Sequence, residues 1–156
     1  TPFRLQKVLE LYELRLESAA EALARTNQTL TNAQARLRQL EHFVLEYQQA
    51  RLEKMQQGVS ARQLGDFEAF LRKLKEAQNQ QTRVVDDARQ KKEVAQNFWQ
   101  EKRREVDALK LLRQRHQSEL FSQENRREQR FFDEFAAVSW RRNQQNQEID
   151  DSENNQ

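Results

Sequence analysis

Residues 5–47 read LQKVLELYELRLESAAEALARTNQTLTNAQARLRQLEHFVLEY, and their spacing decides the fold. Leu5, Leu9, Tyr12, Leu16, Ala19, Leu23, Thr26, Leu30, Ala33, Leu37, Leu40, Val44 and Tyr47 follow one another by alternating steps of four and three. All but Thr26 are apolar or aromatic. A repeat of this kind keeps one narrow stripe turned toward a partner helix in a left-handed supercoil. Glu, Arg, Gln and Asn fill the positions between, where they suit water. One stripe needs one partner, and the rest of the chain must supply it.

Past Tyr47 the stripe weakens at Arg51, and MQQGVSARQLGD, residues 55–66, holds both glycines of the protein. Gly58 and Gly65 mark the turn, placed at 58–65. Ser60 with Gln63 has the spacing of a capping box, and Asp66 before Phe67 is a second N-cap. The sequence leaves open which of the two starts the next helix. A connection this short folds two helices back antiparallel.

The second helix, placed at 66–142, carries Phe67, Phe70, Leu74, Ala77, Gln81, Val84, Ala88, Lys91, Ala95 and Phe98 in similar steps. The pattern then slips through Phe98, Lys102, Val106 and Leu109, as an eleven-residue insertion that locally unwinds a supercoil would. Leu112, His116 and Leu120 follow, and then FSQENRREQRFFDEFAAVSW, residues 121–140. From Asn143 to Gln156 the single apolar residue is Ile149, which reads as a disordered acidic tail. A first helix over 3–57 would be about 80 Å long and the second about 115 Å, at 1.5 Å per residue. Folding about residues 61–62 would set Leu5 near Ser118. The end of the second helix outruns the first, leaving Phe131, Phe132, Phe135, Val138 and Trp140 without cover, and such a patch marks an interaction surface.

Composition agrees with long helices. Charged residues make up 33% and apolar ones 36%, with two glycines and one proline among 156 residues. The 27 basic and 25 acidic side chains interleave to a net charge of +2, unlike the basic field of a nucleic-acid binder. No cysteine is present, which permits a reducing compartment. The opening TPFRLQKVLELYELRLESAA has no signal-peptide core, and no apolar run approaches the roughly 20 residues that span a bilayer. These features describe a soluble, cytoplasmic protein.

No catalytic constellation, cofactor loop or metal set emerges. His42 and His116 stand alone as seam or surface residues, and neither glycine belongs to a phosphate loop. Asp86–Asp87 and Asp150–Asp151 are adjacent carboxylates, which point in different directions on a helix. Lys102-Arg103-Arg104 and Arg126, Arg127, Arg130, Arg141 and Arg142 read first as solvated faces with local Glu partners, and second as docking charges for an acidic protein surface. A non-enzymatic protein is expected.

The N-terminal FRLQKVLELYELRLESAA, Phe3 to Ala20, resembles the opening of the flagellar export protein family FliJ. GVSARQLGDFEAFLRKL, with Gly58, Ser60, Leu64, Phe67, Phe70, Leu71 and Leu74, is similar to that family's turn and second-helix start. REQRFFDEFA, near the other end, resembles its C-terminal basic segment. The resemblance covers about residues 3–142. It implies an antiparallel coiled-coil hairpin over 1–142, like the central stalk of a rotary ATPase, whose C-terminal helix enters the bore of the hexameric export ATPase FliI. It also implies contact with the export gate protein FlhA and with export chaperones. On that resemblance Phe3, Arg4, Leu5, Arg126, Arg127, Arg130, Phe131, Phe132, Phe135 and Trp140 would face the ATPase ring. Phe70, Leu74, Ala77 and Gln81 would face the gate, with Gln81 standing where the family has His, and the same four serve equally as seam positions. The stalk of a virulence type III secretion system and a self-associating coiled-coil scaffold are the rival readings.

Overall fold

The computed structural model describes residues 3–155; the outermost expected positions 1, 2 and 156 lie outside them. The chain forms two helices, α1 (Gln6–Gln57) and α2 (Ala61–Asn154), and among the described residues there is no strand. It is an all-α helical hairpin coiled coil, as the stripe of residues 5–47 demands. Two compact units divide it: Val8–Asp107, and the short N-terminal segment through Lys7 with the helix from Ala108 onward.

The turn is tighter than expected. α1 stops at Gln57 because Gly58 takes φ +92°, a left-handed conformation that glycine adopts without steric cost. Ser60 then closes a reciprocal cap: its Oγ accepts from the Gln63 N–H at 3.2 Å, and its own N–H donates to Gln63 Oε1 at 3.3 Å. With these orphan donors satisfied, α2 starts at Ala61 rather than at residue 66, and Gly65 and Asp66 lie inside the helix. A helical Gly65 costs about 1 kcal/mol relative to Ala, which continuing the capped helix offsets. At the other end α1 begins at Gln6 rather than Phe3, where the Gln6 N–H donates to the Phe3 carbonyl at 3.1 Å.

In the larger unit the first-helix register holds from Leu9 to Tyr47. Leu9, Ala19, Leu30, Ala33 and Val44 are buried and the seam positions between them half-buried. The facing register on α2 is corrected by one residue. Leu71, Val85 and Ala88 are buried, with Phe67, Leu74, Gln78, Gln81, Lys92, Ala95, Trp99 and Lys102 half-buried and Val106 buried again. These positions alternate four and three without interruption, so the slip expected after Phe98 does not exist. Phe70, Val84, Lys91 and Phe98 each stand one place before the true seam residue and are exposed. Their apolarity drew the register toward them, because the true positions include Gln78, Lys92 and Lys102.

Partners across the hairpin locate its fold. Tyr47 packs on Phe67 and Phe70, with ring centroids 5.2 and 4.6 Å apart, and Leu30 and Ala33 cluster with Val85 and Ala88. The chain therefore turns about Val59 rather than about residues 61–62, a consequence of the earlier start of α2. Arg51, at the end of the α1 seam, reaches Glu68 at 3.3 Å.

In the smaller unit the same alternation continues through Leu109, Arg113, His116 and Leu120. Phe3 packs its ring on His116 with centroids 5.7 Å apart. Leu112, expected in the seam, is 44% exposed. From Asn143 the helix runs on to Asn154, where the sequence suggested a disordered tail. Adding a residue to an existing helix needs no new nucleus, and Gln and Glu are good helix formers. Every side chain from Asn143 to Asn154 is exposed.

Candidate functional site

The first candidate surface lies on the smaller unit. Every side chain from Phe121 to Val138 is exposed, and Phe131, Phe132 and Phe135 are each about two-thirds open to solvent. Phe131 and Phe132 meet edge-on, centroids 6.0 Å apart, and so cover little of each other. Val138 follows Leu120 by five full turns at 3.6 residues per turn, so this stripe continues the face that is half-buried as far as Leu120.

Helical geometry sorts the ring-facing residues expected from the sequence. Successive side chains advance by about 100°, which gathers Phe131, Phe132, Phe135 and Val138 within an arc of about 120°. Arg142 sits on that arc and Arg127 at its edge. Arg126, Arg130, Arg141 and Trp140 point at about 120–180° from Phe135, to the other side of the helix. Among the described residues none of these five arginines forms an ion pair. Of the N-terminal three, Phe3 is half-buried on His116, while Arg4 and Leu5 are exposed.

The second candidate surface lies near the hairpin tip in the larger unit. Phe70, 46% exposed, lines an open groove of roughly 440 Å³ with Phe43, Tyr47, Ala50 and Leu74. Ala77 is half-buried beside the seam. Gln81 is turned inward: its Nε2 donates to the Ala33 carbonyl oxygen at 3.0 Å. The structure thus brings Phe70 and Leu74 together and engages Gln81 within the hairpin. Sequence reading missed Phe43, whose signal is an aromatic placed directly before the buried Val44, on the flank of the stripe.

Several charges in the runs of the larger unit have local partners. Lys102 lies 3.4 Å from Glu105 and over the Phe98 ring, Arg103 lies over Trp99, and Asp87 pairs with Lys91 at 3.1 Å. Among the described residues no group of three or more His, Cys, Asp or Glu could hold a metal ion. Within the same residues no helix is long and apolar enough to cross a membrane.

Residues 2–145 match the family model for the flagellar FliJ protein. The chain is 27% identical over 132 residues to the flagellar FliJ protein of Escherichia coli K12, covering 85% of this chain and 90% of that one. Its identity to the flagellar FliJ protein of Salmonella typhi is 26% over the same length and shares. Among solved structures it is similar in fold to a protein described as a YscO homolog from Chlamydia trachomatis. That likeness has a TM-score of 0.65 at 19% identity, over 93% of this chain and 98% of the other. With the family model spanning nearly all of its length, the chain belongs to the FliJ family of flagellar proteins.

Proposed function

We propose that this chain is the non-enzymatic central stalk of the flagellar type III export apparatus, acting at its cytoplasmic face. The uncovered aromatic stripe carries this reading: the face that is half-buried as far as Leu120 passes Glu124 and Glu128 and turns apolar again at Phe131, Phe135 and Val138, where none of the described residues covers it. A bore in the hexameric export ATPase FliI supplies that cover. Phe131, Phe132 and Phe135 seat against it, each contributing about 1.5–3 kcal/mol when fully buried. Arg126, Arg130 and Arg141, on the other side of the helix, meet acidic groups of the ring and steer docking, which makes association salt-sensitive. Trp140, Arg127, Arg4 and Leu5 fill the rim of the contact, and Phe3 braces the helix through His116.

The tip carries the second contact. Phe70, Leu74 and Ala77 receive the export gate protein FlhA, with Phe43 completing the groove, and Gln81 supports the row from within the seam. A row this short fits a weak, transient association. Export chaperones are further partners. The decisive experiment is reconstitution with the cognate ATPase: the wild-type chain stimulates hydrolysis, and Phe131→Ala/Phe135→Ala loses most of the stimulation while keeping its helical content. Equal stimulation by the double variant would remove the aromatic stripe from the ring contact.

A further inference from the structure

On the uncovered part of α2, Glu124, Glu128, Phe131, Phe135, Val138 and Arg142 follow one another by steps of four, three, four, three and four. That is a complete heptad frame, and all six side chains are exposed. The frame is acidic at its beginning, aromatic in its middle and basic at its end. Among the described residues none of its charged members forms an ion pair.

This order is self-complementary when reversed. Laid antiparallel on a second copy about a two-fold axis near Asp133, Phe131 stacks on Phe135 of the second copy, and Glu124 meets its Arg142. Both pairs occur twice by symmetry. Phe132 falls beside its own equivalent near the axis. A parallel pairing would set Glu124 on Glu124 and Arg142 on Arg142, which like-charge repulsion disfavours. Sliding the antiparallel pair by one heptad either way sets Phe131 against Arg142 or Glu128 and separates the opposite charges. Only one register joins aromatic to aromatic and acid to base. We propose that two copies of this chain pair antiparallel through residues 124–142, covering the aromatic stripe with a second copy of itself. The same register also sets Glu128 against Val138 of the second copy and, on one flank, Arg127 beside Arg141 and Glu134 beside its own equivalent, which limits the affinity. The pairing needs no ATPase, but it covers the Phe131 and Phe135 that the stalk reading seats in the ring, so the two contacts are alternative states of one face.

Sedimentation equilibrium of the full chain tests it, with circular dichroism confirming that each variant keeps its helices. The wild-type chain is expected to form a reversible dimer. Glu124→Arg and Arg142→Glu each weaken it about tenfold, because each loses two opposite-charge pairs and gains two like-charge ones. The double swap Glu124→Arg/Arg142→Glu restores wild-type affinity to within about twofold. Arg141→Glu tightens the dimer by removing the flank repulsion. A chain that stays monomeric at high micromolar concentration overturns the pairing and leaves the stripe to another protein. So does a dimer indifferent to the single reversals, or a double swap as weak as they are.

Discussion

The side-chain amide of Gln81 donates to the main-chain carbonyl of Ala33 across the hairpin at 3.0 Å. Ala33 belongs to the buried cluster of Leu30, Ala33, Val85 and Ala88, so the half-buried amide of Gln81 is satisfied beside an apolar stretch of the seam. A single polar residue at a seam position specifies register at some cost in stability. Gln81→Ala is expected to lower stability by about 1 kcal/mol in urea denaturation. It should leave binding to the gate protein within about twofold, because the side chain is already engaged in the hairpin.

The groove at the tip behaves differently. Phe70 offers an exposed ring against Tyr47, and its truncation removes apolar area available to a partner rather than a core contact. Phe70→Ala and Phe43→Ala should each weaken gate binding about tenfold while changing the thermal midpoint little. Titration of the purified gate domain, with a melting curve for each variant, separates the two effects.

Val84 and Val85 test the corrected seam most simply. They are adjacent, yet one is 49% exposed and the other 3%. Val85→Ala is expected to cost about 2 kcal/mol, and Val84→Ala no more than about 0.5 kcal/mol. Equal costs from the two truncations in matched denaturation curves would contradict the register.

The turn rests on two local devices. Ser60→Ala removes the Oγ acceptor of the cap and should cost about 1 kcal/mol. Gly58→Ala forces a side chain into a left-handed conformation, costing a further 1–2 kcal/mol or so, although nothing stands within 4 Å of its added Cβ. Strain rather than collision is the cause.

Much of this was legible in the chain itself. The first-helix seam is read directly from its leucines because almost every seam position is apolar and its neighbours are charged. The second helix resisted because its seam admits Gln78, Lys92, Lys102 and Arg113, while exposed apolar residues stand one place earlier. Long Lys side chains half-bury their methylenes and keep the ammonium outside, a use that hydrophobic pattern alone does not reveal. The turn was ambiguous because two capping signals lie six residues apart, and only the reciprocal geometry of Ser60 and Gln63 separates them. At the candidate surfaces, spacing identified Phe131 and Phe135 as one stripe. It did not separate Trp140, Arg126 and Arg130 from them, since that distinction depends on rotation about the helix axis. Phe43 was missed because its partners Phe70 and Leu74 come from the other helix.

On the proposed function, the aromatic stripe on the end of α2, rather than the arginines behind it, anchors the protein to the export ATPase. ATPase stimulation measured side by side for Phe131→Ala/Phe135→Ala and Arg126→Ala/Arg130→Ala tests it most directly. The aromatic double variant should lose stimulation at every salt concentration. The arginine double variant should retain maximal stimulation and shift only the protein concentration and ionic strength at which it is reached. Full stimulation by the aromatic variant, with loss confined to the arginine variant, would move the anchor from the aromatic stripe to the arginines.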